Sequence, residues 1–114
     1  MLNSFKYAFN GIKEALNSEH NLRIHFTISF LVLLLAYYLK LNNIELSLLI
    51  ITIAFVIILE LINTVVEKLV DMYSKEISEK ARIIKDISAG FVLIGAITSV
   101  FVGLILFLPK LFGI

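Results

Sequence analysis

Length and composition place this chain among membrane proteins. Its 114 residues correspond to one domain, yet 60% of them are hydrophobic and only 17% are charged, whereas soluble domains are roughly 45–50% apolar. A chain this short cannot bury that surplus in its own core, because small folds leave a large share of their surface outside. The net charge of +1 without a basic block excludes a nucleic-acid footprint. The lack of cysteine excludes disulfides, thiolate catalysis and cysteine-based metal sites.

The first predicted element is an amphipathic helix over residues 2–20. Apolar side chains recur there every three or four positions, at Leu2, Phe5, Phe9, Ile12 and Leu16, while lysines and asparagines occupy the other faces. This pattern favours a surface helix that lies in the membrane interface. A helix that packs on protein is the alternative.

The segment NSEHNLRIH, at 17–25, joins this helix to the first apolar run. We expect Glu19 to supply a carboxylate at the membrane surface. His25 is interpreted as an interfacial histidine in preference to a metal ligand.

Three apolar runs, at 23–40, 44–70 and 83–108, are long enough to cross a bilayer as helices, which takes about 20 residues. Lysine and arginine are concentrated before the first run and around the connection between the second and third, with single lysines, Lys40 and Lys110, at the other ends. By the positive-inside rule the amino terminus and the 71–82 connection are cytoplasmic, and the carboxyl terminus lies outside. We therefore predict an all-α, multi-pass protein of the cell membrane, with residues 1–114 as one domain.

The second span ends in LELINTVVEKLVD. Four polar side chains, Glu60, Asn63, Glu67 and Asp71, fall there within an arc of about 80° on one helix face. A polar helix end accounts for Asp71 but not for Glu60, which lies roughly 10 Å deeper than Glu67. An ionisable group within a span costs about 2.5 kcal/mol or more unless it faces protein or water. We therefore predict a functional site on this face, with Glu60 as a candidate general base.

The third span begins with KDISAG, in which Lys85 and Asp86 enter the membrane. Beside the acidic face, Lys85 is a suitable partner for carboxylates or phosphates. Farther along, Gly95, Ser99 and Gly103 form a small-residue stripe that is typical of close helix packing.

Carboxylates gathered at one membrane surface suit a hard cation such as Mg²⁺, which usually takes one or two carboxylates together with substrate phosphates. The P-loop pattern is absent from the sequence, so any nucleotide is held in another way. A metal, a lysine and a buried base are nevertheless the parts that phosphoryl transfer requires.

ELINTVVEKLVD, at 60–71, resembles the signature E-x-[LIVM]-N-[ST]-[SA]-[LIV]-E-x-x-V-D of the prokaryotic diacylglycerol kinase family, and KDISAG resembles that family's second conserved block. The resemblance extends over nearly the whole chain. Val65 departs from the signature, which prefers Ala or Ser there, but no reactive group is lost. EHNLRIH and FLPK are similar to the Gram-positive branch, whose members prefer undecaprenol to diacylglycerol.

The resemblance implies a homotrimer with active sites between subunits at the cytoplasmic surface, which transfers the γ-phosphate of ATP, bound with Mg²⁺, to a lipid hydroxyl. It makes Glu60 the general base and makes Glu19 and Glu67 the metal ligands. The ATP-binding positions that it implies are Tyr7, Glu19, Glu67, Glu76, Lys85 and Asp86, and the further polar groups of the site are Asn63 and Asp71.

The preferred function is therefore phosphorylation of undecaprenol, with diacylglycerol as the alternative substrate. A small ion-coupled or proton-coupled membrane protein that uses Glu60 as a relay is an alternative from another class, but it leaves Glu19, Lys85 and Asp86 unexplained. A structural or accessory membrane subunit is the third possibility.

Overall fold

The computed structural model describes residues 1–73 and 78–114, which form four helices. These are α1 (Leu2–Ser18), α2 (His20–Tyr38), α3 (Asn43–Tyr73) and α4 (Glu79–Leu111). Within those ranges, α2, α3 and α4 are long and apolar enough to cross a membrane. The prediction of an all-helical chain with three candidate spans is thereby confirmed. Helices α3 and α4 extend beyond the predicted runs at both ends.

A single extended residue, Glu19, separates α1 from α2. Its φ of −115° and ψ of 109° lie outside the helical region, so the chain changes direction there. Arg23 donates from Nη1 to the carbonyls of Leu16, at 2.9 Å, and Asn17, at 3.0 Å. Because the last carbonyls of a helix have no partner within it, this guanidinium caps α1 and ties it to α2. Most of α1 is exposed, and its position in the membrane interface stays a prediction.

The connection between α2 and α3 is short because each helix end is closed locally. Lys40 adopts a positive φ of 58°, and the N–H of Leu41 donates to the carbonyl of Ala36 at 3.2 Å, a helix ending that usually employs glycine. Next, Asn42 and Glu45 cap the start of α3 reciprocally: each backbone N–H donates to the other's side chain, at 3.0 and 2.9 Å.

Helices α3 and α4 form the main packing unit of the fold. Three contacts at different depths set their register, namely Glu45 with Lys110 (Oε1 to Nζ, 3.3 Å), Leu59 with Gly95, and Asp71 with Lys85 (Oδ1 to Nζ, 2.6 Å). Residue numbers rise on one helix as they fall on the other, so the two run antiparallel. We call the end of the bundle that carries Asp71 and Lys85 the polar end.

The small-residue stripe of α4 meets two different environments. A Cβ added at Gly95 would lie 2.8 Å from Cδ1 of Leu59, so α3 and α4 approach closely there. An added Cβ at Gly103 would find no atom of the described chain within 4 Å. Gly103 instead borders a groove of about 230 Å³ between α2, α3 and α4. Close packing on α3 is therefore observed at Gly95 and not at Gly103.

This difference predicts that alanine lowers stability more at position 95 than at position 103. Gly95→Ala should lower the free energy of unfolding relative to Gly103→Ala by about 1–2 kcal/mol, because only the methyl group at 95 displaces Leu59 while both changes improve helix propensity. Thermal unfolding of the two variants and the parent chain in detergent micelles measures the order. Equal stability of the two variants would show that Leu59 yields without cost.

Candidate active site

The most deeply buried charged side chain among the described residues is Glu60, on α3, which is only 2% exposed. Within that part of the chain its Oε2 atom has no hydrogen-bond partner. Nε2 of His25, on α2, lies 3.7 Å from it. Burying a charged group without compensation is costly, so packing alone does not explain a glutamate at this position.

Exposure increases along the polar face of α3 from Glu60 towards the polar end. Asn63 and Glu67 are partly buried, and Asp71 is exposed. Nδ2 of Asn63 donates to Oε1 of Glu67 at 3.2 Å, which holds that carboxylate in one orientation and leaves its second oxygen free of this bond. The face thus carries three acids in different surroundings: Glu60 is buried, Glu67 is partly buried and oriented by Asn63, and Asp71 is exposed.

Helix α4 adds cations and a further acid to the polar end. Lys85 contacts Asp71 across the two helices at 2.6 Å, so the structure supplies the carboxylate partner that the sequence suggested for it. Asp86 accepts from Nη1 of Arg82 at 2.7 Å, and Arg82 also pairs with Glu79. Sequence reasoning did not single out Arg82, although its spacing of four from Asp86 is typical of helical ion pairs.

Ser88, in the KDISAG block, is a buried polar residue on α4. It is 2% exposed, and its hydroxyl finds no hydrogen-bond partner within residues 1–73 and 78–114. Its burial agrees with tight packing of α4 at this level.

The remaining predicted positions lie at different distances from this face. Glu19 is partly buried at the junction of α1 and α2. Tyr7 is 70% exposed on α1, which packs on α2. Glu76 lies outside the described residues.

His25 is the neighbour of Glu60 that sequence reasoning did not assign to the site. It is partly buried, lies next to Glu60 and lines the groove that Gly103 borders, and its interpretation as an interfacial histidine stays a prediction. Its position depends on how α2 packs against α3. A periodic pattern along one helix contains no information about such a contact, so the sequence held no signal for it.

The carboxylates of the site suit a metal that is shared with a substrate. Across the described ranges, no group of three or more histidine or acidic side chains is arranged to hold a metal ion by itself. Mg²⁺ often takes only one or two carboxylates and completes its shell with phosphates and water. Glu19 and Glu67 are the two carboxylates that the family resemblance assigns to the metal, and this assignment stays a prediction.

Comparison with known proteins decides the family. A family model described as prokaryotic diacylglycerol kinase matches residues 6–107, a range that includes every candidate site position. The chain belongs to the prokaryotic diacylglycerol kinase family. The resemblance found in the sequence is thereby confirmed.

Relatives within the diacylglycerol kinase family have names that specify two lipid substrates. A diacylglycerol kinase of Synechocystis sp. is 40% identical over 115 residues, which is 100% of this chain and 66% of that protein. An undecaprenol kinase of Bacillus subtilis is 35% identical over 108 residues, which is 95% of this chain and 88% of that protein. A diacylglycerol kinase of Haemophilus influenzae is 32% identical over 94 residues, which is 82% of this chain and 80% of that protein. All three names describe lipid kinases.

The ion pair between Asp71 and Lys85 in this member of the diacylglycerol kinase family should contribute little to stability. The two side chains are 67% and 40% exposed, and exposed pairs typically contribute about 0.2–1 kcal/mol. A double-mutant cycle with Asp71→Asn and Lys85→Met, measured by unfolding in micelles at low and high salt, tests this. The matched control is the less exposed Glu45 and Lys110 pair, for which we expect the larger coupling energy. The reverse order would assign Asp71 and Lys85 a structural role.

Proposed function

We propose that this chain catalyses ATP-dependent phosphorylation of a membrane lipid alcohol, with undecaprenol as the substrate and diacylglycerol as the alternative. The observation that carries the proposal is the carboxylate of Glu60, buried among apolar helices on the face that leads to Glu67 and Asp71. A base at that depth can meet a hydroxyl at the head of a lipid. The triphosphate of ATP remains in the aqueous layer at the polar end.

Two short segments favour undecaprenol over diacylglycerol, because EHNLRIH and FLPK resemble the Gram-positive branch, whose members prefer undecaprenol. The higher identity to the Synechocystis protein, 40% against 35%, is the reason that diacylglycerol stays as the alternative.

In the proposed reaction Glu60 accepts the proton of the lipid hydroxyl, whose oxygen then attacks the γ-phosphorus of ATP in line with the departing ADP. Such a transfer depends mainly on positioning and charge neutralisation. Glu19 and Glu67 would hold Mg²⁺, and Asn63 keeps Glu67 oriented through the hydrogen bond described above. When bound with ATP, Mg²⁺ neutralises phosphate charge.

The groups nearer the solvent bind the nucleotide in this proposal. Lys85 and Asp86 lie at the start of α4. Lys85 pairs with the exposed carboxylate of Asp71, which a phosphate oxygen of the nucleotide can replace. Tyr7 and Glu76 complete the nucleotide contacts, as the family resemblance implies. Exposed, salt-bridged lysines exchange partners readily, because each pair contributes little free energy.

The same proposal includes a homotrimer in the cell membrane, with α1 in the interface and the amino terminus and the 71–82 connection on the cytoplasmic side. The bias of lysine and arginine towards these segments supports the orientation. The spanning helices leave most of their large apolar side chains exposed in a single chain, so surface is available for both lipid and neighbouring subunits.

Replacement of the proposed base gives a direct test. Glu60→Gln should lower kcat by roughly 10²–10⁴-fold, because the amide cannot accept the proton, while KM for ATP and the trimer are unchanged. Glu67→Gln should raise the Mg²⁺ concentration required for activity. Transfer of labelled phosphate from ATP and light scattering of the micellar protein measure these effects. Glu14→Gln, on the exposed surface of α1, is the control, and near-normal turnover of Glu60→Gln would refute the assigned role.

A comparison of substrates tests the lipid preference. The purified protein, reconstituted in bilayers that contain equal mole fractions of undecaprenol or diacylglycerol, should show the higher kcat/KM with undecaprenol. A clearly higher value with diacylglycerol would reverse the substrate assignment and leave the kinase class intact. Ion movement without consumption of ATP would instead support the relay alternative.

A further inference from the structure

The proton that Glu60 receives must leave the site before the next turnover. Each transfer forms a bond between the lipid oxygen and phosphorus, breaks the bond to the departing ADP and releases one proton. Only 3% of the Glu60 side chain is exposed, so water has little direct access to its carboxylate. A neighbouring group that is more exposed than the carboxylate is therefore needed to accept this proton and return Glu60 to its ionised form.

His25 has the position that this step requires. Its Nε2 lies 3.7 Å from Oε2 of Glu60, and 25% of its side chain is exposed against 3% for Glu60, so the ring reaches farther out of the helix bundle than the buried carboxylate does. Imidazole changes protonation state near neutral pH, with an ordinary pKa of about 6.5. The two atoms need to approach by less than 1 Å to reach the normal hydrogen-bond distance of about 2.9 Å.

We propose that His25 is a positioning residue for Glu60. His25 fixes the carboxylate of Glu60 and carries the proton from that carboxylate to water after each phosphoryl transfer. The inference rests on the proposed function. The proton passes from Oε2 of Glu60 to Nε2 of a neutral His25, whose hydrogen is on Nδ1, and the imidazolium then releases one proton to water. Proton exchange with water returns the ring to the tautomer with a free Nε2. Glu60 and His25 end the cycle ionised and neutral, so atoms and charge balance.

The other charged groups around Glu60 are less suited to this step. Glu67 on α3 and Glu19 at the α1 and α2 junction also act on Glu60, but both are assigned to Mg²⁺ in the proposed function. From α4, Lys85 is paired with Asp71 nearer the polar end. A lysine, with an ordinary pKa near 10.4, is already protonated at neutral pH. Of these groups, His25 is the one that can accept and release a proton at neutral pH.

The first test separates proton transfer from binding. His25→Gln, which keeps a polar side chain of similar length, should lower kcat by roughly 10²-fold and leave KM for both the lipid and ATP unchanged. His20→Gln, the same change at the exposed histidine of α2, is the matched control and should keep the parent kcat.

The second test uses chemical rescue. His25→Ala opens space beside the groove of about 230 Å³ that His25 lines. Added imidazole should therefore restore part of its kcat and have no effect on the parent chain. Normal kcat in His25→Gln, a raised lipid KM with normal kcat, or a slow His25→Ala that imidazole does not accelerate would each overturn the inference. Glu60→Gln is measured in parallel. Full turnover of that variant would refute the proposed role of Glu60 as the base, whereas lost turnover beside a normal His25→Gln would refute only the role of His25.

Discussion

The burial of one carboxylate among apolar helices is the constraint on which the rest of this structure depends. A charged group in such surroundings persists only if protein groups or water compensate it. Glu60 has His25 on one side and the graded polar face of α3 on the other. In the proposed reaction the depth of this carboxylate would also determine the kind of acceptor that can reach it, because a hydroxyl anchored in the membrane arrives at that level and a soluble one does not.

The antiparallel pairing of α3 and α4 places the two sequence blocks against each other. Close approach at Gly95 and Leu59 sets the separation of the helices, and the ion pairs at their two ends set the register. Lys85 consequently lies at the level of Asp71, which brings a cation to the side of the acidic face that nucleotide phosphates would approach. Packing in the apolar middle of the bundle therefore determines electrostatics at its polar end.

The sequence was sufficient to predict those parts of the structure that depend on one helix at a time. The three candidate spans follow from the length and apolar composition of their runs, and the common face of Glu60, Asn63, Glu67 and Asp71 follows from residue spacing. The partner of a residue on another helix does not follow from it, so neither the contact of His25 with Glu60 nor the cap that Arg23 provides was predictable. The stripe from Gly95 to Gly103 illustrates the same limit, since equal spacing along α4 gave one tight contact and one open position.

The two ion pairs at the ends of the α3 and α4 unit also relate the protein to the thickness of its bilayer. Glu45 and Asp71 are separated by roughly 39 Å along α3 at 1.5 Å per residue, whereas a typical hydrocarbon layer is about 30 Å thick. Both charged pairs can therefore sit among lipid head groups while the apolar middle spans the acyl chains. Glu60 is fixed at roughly 16 Å from Asp71 along the same rigid helix. The depth of Glu60 in the membrane is therefore set by the positions of the two ion pairs in the head-group layers. Lipid chain length thus acts on the alignment between this carboxylate and the plane in which lipid hydroxyls lie.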